Sequence, residues 1–326
     1  MRIFITGGAG FIGSWTVEAL VAAGHDALVY DSFVTGRLDY LGAVTDAITV
    51  VRGDIRAPIA LQRAVRRFQP DAIIHLAACV SVPLSLRRAL RSHDDNTRGT
   101  LAVLEAARAN DVRRVVLASS AAIYGHNNCL PLHEDLPAAP LSPYGLHKRV
   151  GEDYARLYSD LYGLETVALR YFNVFGPRQD PASPYSGVIA RFVEAALACR
   201  DIIISGDGTQ TRDFVFVGDI ALTNLVAATQ PLSGHHVVNV GTGRESSLLD
   251  VVAAIERATG RPLPYSFTTA RPGDIYRSRA DVARLRNLLD VVCACDLGAG
   301  LGCLVEALTH GQRYVAPLTR SLRQAV

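Results

Sequence analysis

Paired cysteines, a surplus of one charge and long apolar runs are all missing from this chain of 326 residues, and each absence removes a class of function. The six cysteines (Cys79, Cys129, Cys199, Cys293, Cys295 and Cys303) include no Cys-x-x-Cys pair, so reduced structural thiols are expected and no metal is assigned. Cys293 and Cys295 stand at alternate positions, which on a strand face opposite ways. The formal net charge is only +2, which gives no reason to expect a nucleic-acid partner; the arginine pairs at 66–67, 87–88 and 113–114 read as solvated surface. No apolar run reaches the length of a bilayer span, so no membrane partner is expected. The N-terminus enters a strand and a glycine-rich stretch with no cleavable signal pattern, and a cytoplasmic location is the expectation. Internal repeats and low-complexity tracts are absent as well.

What is present is an alternation. Short β-branched runs at 3–5, 27–30, 49–52, 72–76, 114–118 and 166–170 alternate with helical patterns, the first over 12–23. Such alternation predicts an α/β fold: a doubly wound parallel sheet with helices on both faces. After Tyr171 the pattern changes. Residues 172–185 are rich in Pro, Asn, Asp and Gly and read as a long functional loop. The remainder mixes short strands (202–204, 214–217, 237–240) with helices near 220–228 and 248–259. The expected division is a dinucleotide-binding domain over 1–172, with segments around 213–245 returning to it, and 173–326 as mainly a smaller mixed α/β substrate lobe.

The stretch Thr6-Gly7-Gly8-Ala9-Gly10-Phe11-Ile12-Gly13 lies between a strand and a helix. Glycines at 7, 10 and 13 permit a tight turn and let a pyrophosphate approach the free amides of the helix start, around Phe11 and Ile12. Asp31 ends the second strand, where a carboxylate accepts hydrogen bonds from the adenosine ribose and repels a 2′-phosphate. NAD is therefore favoured over NADP. Asp54 and Ile55, and Leu76, Ala77 and Ala78, follow the third and fourth strands, where contacts to adenine and ribose fall.

Tyr144 and Lys148 stand four apart after Ser142-Pro143, a strong helix start, and so share one helix face. A phenol is a poor base near neutral pH, but an ammonium one turn away and a cationic nicotinamide both favour the phenolate. Taken alone, the spacing describes any amphipathic helix. Downstream of the glycine stretch and of Ser119-Ser120, it points to hydride chemistry on a hydroxyl.

In this combination the chain resembles the extended short-chain dehydrogenase/reductase family, and within it the nucleotide-sugar 4-epimerases. The likeness runs through residues 6–13, 54–56, 75–83, 96, 119–125, 144–148, 170–181, 206–219, 239–243 and 271–274. The resemblance implies a Rossmann-like fold, a tightly held NAD and a UDP-sugar substrate. It makes Tyr144 the base, Lys148 the group that lowers its pKa and holds the nicotinamide ribose, and Ser120, ahead of Ser119, the hydroxyl partner of the substrate oxygen. It assigns Asn173, Arg212, Arg271 and Asp274 to the diphosphate and uridine region. Ser278 aligns with a position whose bulk controls access of an N-acetyl group, and its small size implies a roomy pocket. UDP-glucose/UDP-galactose interconversion is the expectation; the N-acetylhexosamines stay open beside it, and the stretch 179–185 resembles epimerases of either kind.

Related 4,6-dehydratases and decarboxylases carry acidic residues where this chain has Ala121 and Ala122. Elimination needs an acid and a base beside the ketone, and a methyl group moves no proton. Glu134 or Asp135 would have to supply that acid for the dehydratase reading to stand. A UDP-uronate 4-epimerase and a non-catalytic NAD(H) sensor stay open too. Cys79 replaces a residue often polar in the family, and the tail over 288–302 lacks the usual Gly-Trp signature, which leaves its local fold open. The resemblance further implies a homodimer through helices at about 96–109 and 143–162, with Leu101, Leu104, Leu157 and Leu161 either contributing apolar surface to it or packing in the core.

Overall fold

The computed structural model describes residues 1–127, 129–180, 187–270 and 273–310. Its first part runs β1 (Arg2–Thr6), α1 (Phe11–Ala22), β2 (Asp26–Asp31), β3 (Ile48–Arg52), α2 (Pro58–Phe68), β4 (Ala72–His75), α3 (Val82–Arg87), α4 (Ala89–His93), α5 (Gly99–Arg108), β5 (Arg114–Ser120), α6 (Pro143–Tyr162) and β6 (Glu165–Tyr171). It continues with β7 (Asn173–Phe175), α7 (Val188–Leu197), β8 (Ile202–Ser205), β9 (Thr211–Arg212), β10 (Phe214–Phe216), α8 (Val217–Thr229) and β11 (His235–Val240). β12 (Ser246–Ser247), α9 (Leu248–Thr259), β13 (Tyr265–Thr268), α10 (Ala283–Leu289) and α11 (Leu297–His310) follow.

Seven strands form one sheet in the order β11-β6-β5-β4-β1-β2-β3, and every pair in it is parallel. The parallel α/β expectation is met. The central strands are buried on both faces and divide their side chains between two cores by the two-residue period. Ile3 and Ile5 join the core that contains Val217 and Ile220 of α8, whereas Phe4 joins Val103 and Leu104 of α5. The strand order reverses between β1 and β4, and the crevice at the carboxyl ends there is where a doubly wound sheet receives a ligand.

Local chemistry explains the helix that matters most. Ser142 caps α6 by accepting the Gly145 N–H at 3.2 Å, Pro143 occupies the first turn, and Gly163 ends the helix at φ 70°. The expected 96–109 helix starts three residues later, at Gly99, because Asp94–Arg98 form a π-helical turn that continues α4.

One reading is corrected. The stretch expected to be loop from 172 opens with β7, which pairs in parallel with β10 through Asn173 and Phe214; a three-residue strand has too few alternations to be read, and its partner lies far along the chain. Of the four leucines left between a dimer face and the core, Leu104 is core at 1% exposure. Leu101 is half-buried against the same core, while Leu157 and Leu161 are exposed. The tail without its Gly-Trp pair is ordered by a different device: Gly300 fits against Phe175 and Phe216, and buried Asp219 accepts the Cys295 N–H at 3.1 Å. The stretch 181–185 and Arg271 lie outside the described residues.

Candidate active site

A cleft of about 1250 Å³ opens over the switch point. Its floor is backbone. Gly7 has φ +72°, and a Cβ there would stand 2.6 Å from the Ala77 nitrogen. At Gly13 a Cβ would meet the Gly7 carbonyl oxygen at 2.1 Å. No side chain caps α1 at Gly10, so the amides at Phe11 and Ile12 are left to a ligand, with the positive end of the helix dipole behind them. Asp31 shapes this loop: its carboxylate accepts the Ala9 N–H at 3.0 Å and the Phe33 N–H at 2.8 Å, and each oxygen keeps a lone pair. Gly7, Gly10, Phe11, Ile12, Gly13, Asp31, Asp54, Ile55, Leu76, Ala77 and Ala78 all line the cleft. These residues fit a dinucleotide: a cradle that any Cβ would fill, free amides for a pyrophosphate and a carboxylate for a ribose. Asp54 also pairs with Arg56 at 2.6 Å, which holds its carboxyl below the usual range.

Beneath the floor, His75 ties the glycine loop to α5. Thr100 donates its hydroxyl to the Asn96 carbonyl at 2.6 Å, so it accepts from His75 Nε2 at 3.0 Å. His75 Nδ1 is then the acceptor for the Thr6 hydroxyl at 2.7 Å, and the Thr6 oxygen accepts the Ala77 N–H. Burial, with Lys148 nearby, pushes the imidazole down to about 3; it is neutral and structural. Asn96 clamps Cys79 from both sides, accepting its N–H at 2.7 Å and donating to its carbonyl at 2.9 Å.

Ser120, Tyr144 and Lys148 meet in this cleft. Lys148 Nζ donates to the Ala118 carbonyl at 2.7 Å and lies 5.8 Å from the Tyr144 ring centroid. Burial pushes the ammonium down to about 8. Burial raises the Tyr144 pKa, a hydrogen bond with Ser120 opposes that rise, and the neighbouring Cys79 thiol adds to it.

β5 extends two residues further than its β-branched run and thereby separates the two serines. Both serines line the cleft, but Ser119 donates its hydroxyl to Glu152 Oε1 at 2.6 Å whereas Ser120 hydrogen-bonds the Tyr144 phenol. The two candidates for the substrate hydroxyl partner thus differ in the groups that hold them. Neither Glu134 nor Asp135 lines the cleft: Glu134 is buried and accepts the Asn239 N–H at 2.8 Å, and Asp135 pairs with Arg284 at 2.8 Å.

The sugar side is only partly assembled. Asn173 lines the cleft from β7. Arg212, Asp274 and Ser278 do not line it. Arg212 donates to the Thr211 carbonyl at 2.8 Å and feels Asp274, while Ser278 is buried. Asp213, adjacent to Arg212, serves the backbone N–H groups of Thr242, Gly243 and Ala280 instead. Sequence reasoning did not single out Arg178 or Gln179 as ligand contacts. Arg178 pairs with Glu18 and stacks 5.6 Å over Trp15, whose indole donates to the Pro177 carbonyl at 3.1 Å. A partner 160 positions away leaves no local signal.

A glycine cradle at the switch point of a parallel sheet, with a tyrosine-lysine helix beside it, defines a dinucleotide-dependent enzyme of the extended short-chain dehydrogenase/reductase type. The model of the NAD dependent epimerase/dehydratase family matches residues 3–241, and the chain belongs to that family. It is 40% identical over 309 residues to a UDP-glucose 4-epimerase of Mycolicibacterium smegmatis, covering 94% of this chain and 98% of that one. The fold superposes with TM-score 0.88 on a UDP-glucose 4-epimerase of Thermus thermophilus solved with NAD, 34% identical, covering 95% and 100% of the two chains. It matches a UDP-N-acetylglucosamine 4-epimerase of Methanobrevibacter ruminantium, solved with UDP-N-acetylmuramic acid, at TM-score 0.90 and 33% identity, covering 95% and 98%.

Proposed function

We propose that this protein is an NAD-dependent 4-epimerase of a UDP-hexose. The observation that carries the reading is the convergence of Ser120, Tyr144 and Lys148 beside a glycine cradle, with no acid at positions 121 and 122. NAD, when bound, accepts a hydride from the sugar and returns it. Tyr144 takes the proton of the C4 hydroxyl, Ser120 orients that oxygen, and Lys148 stabilises the phenolate. The resulting 4-keto sugar turns about its diphosphate linkage and is reduced on its other face. Such a cycle needs a firm hold on the nucleotide and a loose one on the sugar.

In this reading Gly7, Gly10, Phe11, Ile12, Gly13, Asp31, Asp54, Ile55, Leu76, Ala77 and Ala78 hold NAD. Residues 1–172 with the returning 213–245 form the cofactor domain, and 173–326 supply mainly the substrate lobe. Asn173 faces the substrate diphosphate, and Arg212, Arg271, Asp274 and Ser278 are assigned to the same side. UDP-glucose and UDP-galactose are the proposed pair, and the N-acetylhexosamines enter through the likeness to the UDP-N-acetylglucosamine 4-epimerase above. The exposed Leu157 and Leu161 of α6 suit a homodimer. All six cysteines are free, which suits a cytoplasmic location.

Proton NMR of the anomeric signals, with NAD and a mixture of UDP-galactose and UDP-N-acetylglucosamine, tests the reading. Appearance of the matching C4 epimers is expected. A 4-keto-6-deoxy product would turn it to a dehydratase, and NAD binding without product would turn it to a sensor.

A further inference from the structure

The catalytic face of α6 does not stop at Lys148. One turn further, Glu152 is 3% exposed and lies on the same face as Tyr144 and Lys148. Its Oε1 accepts the Ser119 hydroxyl at 2.6 Å and Arg170 Nε at 2.9 Å; its Oε2 accepts Arg170 Nη2 at 2.7 Å. Arg170, on β6, is 2% exposed and spends its remaining terminal nitrogen on the Tyr124 hydroxyl at 2.9 Å and the Glu134 carbonyl at 3.0 Å. The end of β5 is thus pinned to α6 at two successive residues, by Lys148 on the Ala118 carbonyl and by Glu152 on the Ser119 hydroxyl. The next residue is Ser120.

Building on the epimerase reading, we propose that Glu152 is a positioning residue of that reaction, which fixes the end of β5 for Ser120 and supplies the carboxylate field that keeps Lys148 an ammonium. Among the groups facing Lys148, Glu152 shares that role with Cys79 and is the one carboxylate. On α6 these are the phenol of Tyr144 and His147, whose imidazole burial lowers, with His93 and Lys148 acting the same way. From β4 comes neutral His75, and from the segment after β4 the Cys79 thiol, which acts in the same direction as Glu152. From β5 comes the Ala118 carbonyl. Burial already pushes Lys148 down to about 8, and Glu152 opposes that fall. A neutral residue at 152 removes the opposition and leaves the Arg170 charge unbalanced behind it.

The test is the pH dependence of kcat for Glu152→Gln beside wild type, with NAD retention and thermal unfolding followed in parallel. The alkaline limb is expected to move down by about one pH unit, a tenfold change in the ammonium fraction at fixed pH. A purely structural role lowers kcat equally at every pH and leaves the limb in place, which overturns the proposal. Should Arg170, left buried and unpaired, prevent folding, the double variant Glu152→Gln/Arg170→Gln removes both charges together; a limb moved down supports the proposal and an unmoved limb overturns it. Failure of the wild type to interconvert C4 epimers is a different result and bears on the activity itself.

Discussion

The two ends of the cleft are made of different material. Toward the cofactor, contacts come from backbone: Gly7 against Ala77, Gly13 against the Gly7 carbonyl, and uncapped amides at the start of α1. Toward the sugar, they come from side chains on segments far apart in the chain, Asn173 on β7 beside Arg178 and Gln179, while Arg212, Asp274 and Ser278 stay outside the lining. Backbone walls tolerate no substitution and need no rearrangement, so one end is ready for a ligand that stays. The other end is built from side chains held by partners far along the chain, Arg178 by Glu18 and Trp15, so its shape depends on contacts that can be altered one at a time.

Changes at the chemical centre, where the ends meet, are expected to matter most. Tyr144→Phe keeps the buried ring and loses the proton acceptor, so turnover falls by about 10²–10⁴-fold while NAD titration is unchanged; a parallel loss of NAD binding would make Tyr144 a packing residue instead. The next largest effect falls on the cofactor end and is a matter of pH. His75 is near 3 in the fold and about 6.5 in an unfolded chain. The unfolded chain therefore takes up the proton first on acidification. The stability contributed by neutral His75 is complete above about pH 6.5 and is lost down to about 3, at up to about 1.4 kcal/mol per pH unit. Urea titrations across that range are expected to show this slope, flattened in His75→Gln.

Gly13→Ala tests the backbone wall itself. Its methyl group meets the Gly7 carbonyl, overpacking of this kind costs about 1–3 kcal/mol, and the NAD retained on purification is expected to fall by roughly tenfold or more. Asn173→Ala tests the other end and is the mildest of the four. Loss of one exposed hydrogen-bonding side chain costs about 1 kcal/mol, raising KM for the UDP-sugar several-fold with kcat and NAD affinity unchanged. A defect in NAD retention there, or a pure KM effect in Gly13→Ala, would erase the distinction between the two ends.

Some of this was legible because it is local. Strand alternation, the Ser142-Pro143 cap, the glycine spacing and the Tyr144–Lys148 interval each depend on neighbours within a short stretch of chain. β7 was missed because three residues carry almost no periodicity, and Leu104 was left between a dimer face and the core because α5 has apolar residues on two sides and only packing says which side meets the sheet. The proximity of Lys148 to Tyr144 can be read along a helix, and the desolvation that raises the Tyr144 pKa cannot.

By itself the sequence determined the parallel α/β architecture, the glycine cradle and the helix interval that brings Tyr144 and Lys148 together, since each follows from residue type and short-range spacing. Only the tertiary structure decided which serine is held by Glu152, that Glu152 pairs with Arg170, and that Arg178 is strapped to Trp15 and Glu18. Those outcomes depend on burial and on partners brought together from distant parts of the chain, and a one-dimensional pattern carries neither.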